Sequence, residues 1–168
     1  MNRYTIQLYD DFVNKFLEPL NNEKIKILEV GSRLENSRIL LRDKTNNKNW
    51  EFIGLDIENG RNVDVVSDNP YKYPFEDNSF DIIISSNTLE HIKDTKKWIK
   101  EISRISKNLV WIVVPNTYRE HGKFDYWRIM PRGMRYLLEE VAGLKIIEIG
   151  FSKYNIQDTF CIAKKSKK

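Results

Sequence analysis

The sequence predicts an α/β fold: a mostly parallel seven-stranded sheet, helices on both faces, and an antiparallel hairpin at the end. Two observations lead there. Short apolar runs alternate with amphipathic or polar segments along the 168 residues, the order that builds a parallel sheet covered on both sides. The link between the last two runs, Gly150 to Asp158, is too short for a crossover helix, so those two strands pair antiparallel.

The elements follow in order. Residues 5–20 place Ile6, Leu8, Tyr9, Phe12, Val13, Phe16, Leu17 and Leu20 at helical spacing, and that helix ends near Pro19. Ile25–Val30 reads as a strand stopped by Gly31. Residues 33–43 read as a helix with Ser32 as its cap. Trp50–Asp56 is a second strand, Val63–Val66 a short third, and Phe80–Ser85 an apolar fourth. The stretch between the third and fourth, residues 67–79, holds Pro70 and Pro74 and is read as a loop. Thr95–Ile105 is an amphipathic helix with Trp98, Ile99, Ile102 and Ile105 on one face. Leu109–Val114 is a fifth strand stopped by Pro115. Pro131–Ala142 starts on proline and stops at Gly143, as helices do. Leu144–Gly150 and Thr159–Ala163 complete the sheet. Trp98 and Trp111 fall at core-facing positions, as do Phe75, Phe80 and Leu89. Asp77 and Asn78 read as turn residues, and Asp81, at the start of its strand, as structural.

This is one domain over residues 1–168: an N-terminal helix (1–24), the α/β core (25–163) and a basic tail (164–168). With 40% hydrophobic and 31% charged residues the chain reads as a globular protein, with a cytoplasmic location as the default. No apolar run approaches the roughly 18–20 residues that span a bilayer. One cysteine, Cys161, excludes an internal disulfide, a cysteine-built zinc site and a three-cysteine cluster. The net charge of +4 is matched by Lys164, Lys165, Lys167 and Lys168, so the rest is near neutral and makes a weak nucleic-acid footprint.

Ligands of open α/β sheets bind beyond the carboxyl ends of the strands, where strand order reverses. Three such ends carry carboxylates here. The first strand ends Glu29-Val30-Gly31-Ser32, where glycine admits a ligand to the backbone and Glu29 can meet a cationic amino group. The second ends in Asp56, placed to accept from two ribose hydroxyls. The third is followed by Ser67-Asp68-Asn69, suited to an adenine edge.

Taken with Ile27-Leu28-Glu29-Val30-Gly31-Ser32-Arg33, Phe52-Ile53-Gly54-Leu55-Asp56-Ile57 and Val63-Asp64-Val65-Val66-Ser67-Asp68, one block is highly specific: Tyr73-Pro74-Phe75-Glu76-Asp77-Asn78-Ser79-Phe80-Asp81 through Leu89-Glu90-His91-Ile92. Over residues 25–163 the chain resembles the class I S-adenosylmethionine-dependent methyltransferases with a type 11 methyltransferase domain. The resemblance implies a Rossmann-like three-layer sandwich, S-adenosylmethionine as cofactor with S-adenosylhomocysteine as product, and cofactor contacts at Glu29, Gly31, Ser32, Asp56, Ile57, Asp68, Asn69, Ser86 and Asn87. Gly31-Ser32-Arg33 departs from the usual Gly-x-Gly-x-Gly. It is read as a variant turn that sets a side chain where backbone approach is usually open.

The acceptor side is read from Pro115-Asn116-Thr117-Tyr118-Arg119-Glu120-His121-Gly122-Lys123-Phe124-Asp125-Tyr126-Trp127-Arg128, a polar and aromatic loop after the fifth strand. Tyr126, Trp127 and Arg128 are its candidate substrate contacts, with the alternative that the aromatics pack the loop while Arg128 pairs with a carboxylate. Asp125-Tyr126-Trp127-Arg128, followed by Pro131 and Gly133-Met134-Arg135-Tyr136-Leu137-Leu138, resembles a segment of bacterial type 11 methyltransferases, many of them associated with glycan synthesis, which implies a sugar, glycan or small-molecule hydroxyl as acceptor. A hydroxyl needs a base, and the candidates are His121 ahead of His91, with Asp125 orienting or acting as base itself. No metal ligands are assigned. The N-terminal segment leaves little material for a lid, so the acceptor is expected to be large and exposed, or a homodimer partner supplies the lid.

Competing readings remain. Ser85-Ser86-Asn87-Thr88 is unlike the Asn-Pro-Pro turn of amino-group methylation of bases, and Cys161 is misplaced for cytosine chemistry, so a nucleic-acid acceptor is disfavoured apart from a ribose hydroxyl of RNA. A nicotinamide enzyme would want Gly-x-Gly-x-x-Gly and a wholly parallel sheet. A non-catalytic scaffold has no need of three strand-end carboxylates.

Overall fold

The computed structural model describes residues 3–34, 42, 47–154 and 157–166. Seven strands form one sheet in the order β3-β2-β1-β4-β5-β7-β6. They are β1 (Ile25–Val30), β2 (Trp50–Asp56), β3 (Val65–Val66), β4 (Phe80–Ser86), β5 (Ser106–Pro115), β6 (Leu144–Phe151) and β7 (Asp158–Lys165). β1 pairs in parallel with β2 and β4, and β4 with β5. β7 lies antiparallel between β5 and β6. The order reverses between β1 and β4, which opens the crevice used for ligands in such sheets.

Side-chain alternation along the strands divides the core in two. Ile27, Ile82, Ile84, Trp111, Val113 and Ile162 face the N-terminal helix α1 (Arg3–Phe12), which continues as a π-helical turn over Val13–Leu17 and a 3-10 turn ending near Pro19. Trp111 stacks on Phe12 with ring centroids 5.0 Å apart and meets Tyr9 edge-on. Leu28, Val30, Ile83, Val110 and Ile112 face the opposite way, onto α2 (Thr95–Ile105) and α3 (Pro131–Arg135) with its π-helical continuation Tyr136–Val141. Trp98, Ile99, Ile102 and Ile105 are fully buried there. Each such side chain contributes roughly 1.5–3 kcal/mol by leaving water. Asp94 caps α2 by accepting from the Lys97 amide at 3.0 Å.

Four expectations change in detail. β3 keeps only Val65 and Val66, because Asn62 turns the chain with φ 73° and the Val63 amide bonds back to Gly60. β5 begins earlier, at Ser106, which pairs with Phe80 of β4, and β7 runs on to Lys165, which pairs with Leu144 of β6. Lys165 is therefore no tail residue: its ammonium donates to the carbonyls of Ser103 (2.7 Å) and Ser106 (3.0 Å), covering the carbonyl end of α2. Lys167 and Lys168 lie outside the described residues, as does most of the helix expected over residues 33–43, although Arg33 and Leu34 are non-helical.

The loop between β3 and β4 replaces a helix and is held by side chains. Arg104 donates to Glu101, to Asp77 at 2.8 Å and to the Phe75 carbonyl at 2.8 Å. Glu101 in turn accepts from the Tyr73 amide at 2.7 Å, and the Tyr73 hydroxyl accepts from the Trp98 indole at 2.8 Å. Asp81 ties β1 to β5 through the Lys26 amide and the Lys107 ammonium, which makes it structural. Among the described residues no helix is long and apolar enough to cross a membrane.

Candidate active site

The carboxyl ends of β1, β2 and β4 form one edge. Gly31 leaves β1 with φ 75°, and a Cβ there would lie 1.9 Å from the Thr88 hydroxyl, so only glycine lets the β1 and β4 turns close on each other. Ser32 is 2% exposed, and its hydroxyl donates inward to the Asn62 carbonyl at 2.9 Å. The serine side chain thus points into the protein and leaves the cleft side of the turn to backbone.

Asp56 ends β2 half-buried. One carboxylate oxygen accepts from the Arg33 amide and the other from the Ile57 amide, each at 2.8 Å. These bonds fix the carboxylate without using all its lone pairs. Ile57 beside it is 58% exposed, an apolar surface next to a polar clamp. Asp68 is exposed and makes no hydrogen bond or ion pair among the described residues, whereas Asn69 holds its own turn by accepting from the Tyr71 amide at 3.0 Å. Ser86 donates to the Asn87 side chain at 3.0 Å, and Asn87 adopts φ 53° at the end of β4. Glu29 is 6% exposed and accepts from the Tyr9 hydroxyl and the Asn62 amide, each at 3.2 Å. Burial and the Glu29 charge push the Tyr9 phenol well above its ordinary range.

The loop after β5 is locked by one arginine. All five N–H donors of Arg128 are used: one each on the carbonyls of Tyr118, Arg119 and Trp127, and two on the carboxylate of Asp125 at 2.6 Å. Asp125 also accepts from the His121 amide at 2.7 Å and lies 2.9 Å from His121 Nδ1. The guanidinium and these donors hold its carboxyl down at about 2. With Arg128 so committed, the outward surface of the loop is aromatic: Tyr118, Phe124, Tyr126 and Trp127 are each more than 40% exposed. The loop is pinned to the core where Tyr126 N–H meets the Glu90 carbonyl and the Trp127 indole meets the Ile92 carbonyl, at 2.8 and 2.9 Å.

His91 sits under this loop, its Nδ1 3.1 Å from the Phe124 carbonyl. The His91 and His121 rings stand edge to face, centroids 5.2 Å apart. Glu90 between them is fully buried, and desolvation raises its carboxyl to about 8. A cavity of about 230 Å³ lies elsewhere, on the α1 face, lined by residues such as Phe12, Phe16, Trp111 and Phe160. Its charged rim pairs with itself, Lys15 on Glu148 and Lys153 on Asp11, and leaves nothing to do chemistry.

A family model described as a methyltransferase domain (type 23) matches residues 1–143. The chain belongs to this methyltransferase family. The type 11 resemblance of its motifs falls within the same class of domain. With its sheet order, it is a class I, S-adenosylmethionine-dependent methyltransferase. Solved structures share the fold. A SAM-dependent methyltransferase from Aquifex aeolicus is 17% identical with a TM-score of 0.66, over 98% of this chain and 99% of that one. A putative sarcosine dimethylglycine methyltransferase from Galdieria sulphuraria is 14% identical with a TM-score of 0.73, over 96% and 86%. The magnesium protoporphyrin IX methyltransferase of Synechocystis PCC 6803, solved with bound SAH, is 11% identical with a TM-score of 0.67, over 97% and 84%. No curated protein sequence matches.

In this methyltransferase the residues singled out from the sequence fall into two groups. Gly31, Ser32, Asp56, Ile57, Asp68, Asn69, Ser86 and Asn87 lie along the ends of β1 to β4, with Glu29 one turn inside. His91, His121, Asp125, Tyr126, Trp127 and Arg128 gather at the loop after β5. Sequence reasoning missed Asn62, which carries the β1 turn, and Glu90, a carboxylate enclosed between Leu89 and His91. The motif that contains Glu90 was visible, but its burial was not.

Proposed function

We propose that this methyltransferase binds S-adenosylmethionine across the ends of β1, β2 and β4 and methylates a hydroxyl of a sugar, glycan or small molecule held against the loop of residues 116–130. The observation that carries the cofactor half is the clamped Asp56 carboxylate. It is half-buried beside exposed Ile57, next to a turn whose serine hydroxyl is folded onto Asn62. Such an edge fits a nucleoside: Asp56 accepts from both ribose hydroxyls, Ile57 covers one face of the adenine, and Asp68 with Asn69 reads its amino edge. The Gly31 carbonyl serves the methionine end while the Gly31 and Ser32 amides stay on the Leu55 carbonyl, Ser86 and Asn87 border it, and the negative charge of Glu29 favours its ammonium group through the turn.

When bound, the cofactor supplies a methyl group on a sulfonium. The acceptor oxygen forms a new bond to that carbon as the sulfur–carbon bond breaks, and the bonding pair stays on sulfur. The chain's part is to hold the two in line and dry, which is where most of the acceleration arises. His121 takes the hydroxyl proton at Nε2, because Asp125 holds its Nδ1 and keeps the ring aimed. His91 is the second base. Asp125, held at about 2, orients and does not itself take the proton. Arg128 positions the loop, and Tyr126 and Trp127 present the flat apolar faces that sugar rings pack against.

The experiment is transfer of labelled methyl from S-adenosylmethionine to a panel of nucleotide sugars, oligosaccharides, RNA oligomers and carboxylic acids. Label in a sugar product that survives mild alkali is expected, as an ether does. Label in an alkali-labile ester or on RNA would overturn the acceptor reading, and no transfer to any of them would favour a non-catalytic scaffold.

A further inference from the structure

Glu90, His91 and His121 each offer one ligand atom, and these lie within 4.8 Å of one another. Glu90 is 0% exposed, and neither carboxylate oxygen has a hydrogen-bond partner among the described residues. A carboxylate buried without donors is costly unless a positive charge accompanies it. Its Oε1 stands 3.7 Å from His91 Nε2, too long for a shared proton.

The histidines are prepared to complement it. His91 Nδ1 faces the Phe124 carbonyl and His121 Nδ1 faces the Asp125 carboxylate. Both of those partners can only accept, so each Nδ1 carries a proton, and in the neutral ring each Nε2 keeps its lone pair. A backbone carbonyl on one imidazole and a carboxylate on the other is the outer shell that metal-binding histidines use. Arg128 holds that carboxylate in turn with two bonds of 2.6 Å.

We propose that Glu90, His91 and His121 bind one divalent transition-metal cation at the mouth of the acceptor loop. Two imidazoles and one carboxylate, with further positions open, suit zinc, cobalt, manganese or iron better than the all-oxygen shells of calcium or magnesium. Bonds of about 2.1 Å set tetrahedral ligand atoms about 3.4 Å apart. The triad therefore draws in by up to about 1.4 Å from its widest spacing, which the partly exposed His91 and His121 side chains permit. This inference rests on the acceptor reading above and refines it. The open positions face the loop, so the acceptor is a compound whose hydroxyl or neighbouring oxygens ligate a cation, as those of a vicinal diol do. With both Nε2 atoms on the cation, His121 would act as a ligand in place of its role as base: the cation's charge would lower the hydroxyl's pKa, and the proton would pass to solvent before the oxygen takes the methyl group.

The test uses the whole chain, stripped with a chelator and titrated with cobalt and with zinc by calorimetry and visible absorption. S-adenosylhomocysteine binding is measured on the same samples. One equivalent at micromolar affinity is expected, with visible bands of nitrogen and oxygen coordination for cobalt. Glu90→Gln, His91→Ala and His121→Ala are each expected to weaken it on the order of 100-fold while keeping S-adenosylhomocysteine binding, which shows that they fold. No metal binding at millimolar cation, or binding undiminished by Glu90→Gln or by the double histidine variant, would overturn the site. Metal binding without S-adenosylhomocysteine binding would instead sink the methyltransferase reading and leave the site standing.

Discussion

Replacing Asp56 with alanine is expected to weaken S-adenosylhomocysteine binding on the order of 100-fold. The carboxylate would accept two hydroxyl hydrogen bonds, each charge-assisted and worth about 1.5–3 kcal/mol, and a tenfold loss corresponds to about 1.4 kcal/mol. Two bonds at the lower figure already exceed a factor of 100. Part of the effect arises in the free protein, because the same carboxylate fixes the Arg33 and Ile57 amides. Asp56→Asn separates the two contributions: its amide keeps one acceptor oxygen and the shape of the turn, so an intermediate loss is expected. Calorimetry with thermal unfolding as a control reads both. Unchanged affinity in the alanine variant would move the ribose away from β2.

Arg128→Met is expected to unfasten the acceptor loop. The change removes five hydrogen bonds at once and leaves the Asp125 carboxylate, whose side chain is 0% exposed, without its cation. Removing one partner of a fully buried pair costs about 3–5 kcal/mol, and this part-buried pair costs less. Since residues 116–130 are held to the rest by few bonds, the loop should open locally before the sheet is affected. Proteolysis and amide exchange are therefore expected to rise sharply over this loop, with methyl transfer lost and S-adenosylhomocysteine affinity nearly kept. If the loop stayed protected, or cofactor affinity fell as far as activity, Arg128 would not be its fastening.

The division between what the sequence reveals and what it hides follows from length scale. Apolar runs ended by Gly31 and Pro115, a short final link and the periodicity of Trp98, Ile99, Ile102 and Ile105 are local patterns, and each element they announce is present. The strand ends that carry Asp56 and Asp68 follow from those patterns. Side-chain direction does not. Ser32 reads as an obstruction in the cleft, yet its hydroxyl finds the Asn62 carbonyl, thirty positions away in sequence, and turns inward. Arg128 reads either as a substrate contact or as the partner of a carboxylate, and only the structure shows its five donors on the loop, two of them on Asp125. Glu90 stands in the sequence only as part of the Leu89-Glu90-His91 motif, yet it is fully buried where the Tyr126 amide bonds its carbonyl. Contacts between distant segments decide Ser32 and Glu90, while Arg128 is decided by the path of its own loop.

The central claim is tested most directly by calorimetric titration of the wild-type chain with S-adenosylhomocysteine. A single site of micromolar affinity, with a matching rise in unfolding temperature, is the result the β1–β2–β4 edge demands. No heat and no thermal shift at millimolar ligand would contradict it, and would mean that the Gly31-Ser32-Arg33 turn closes the edge to the nucleoside.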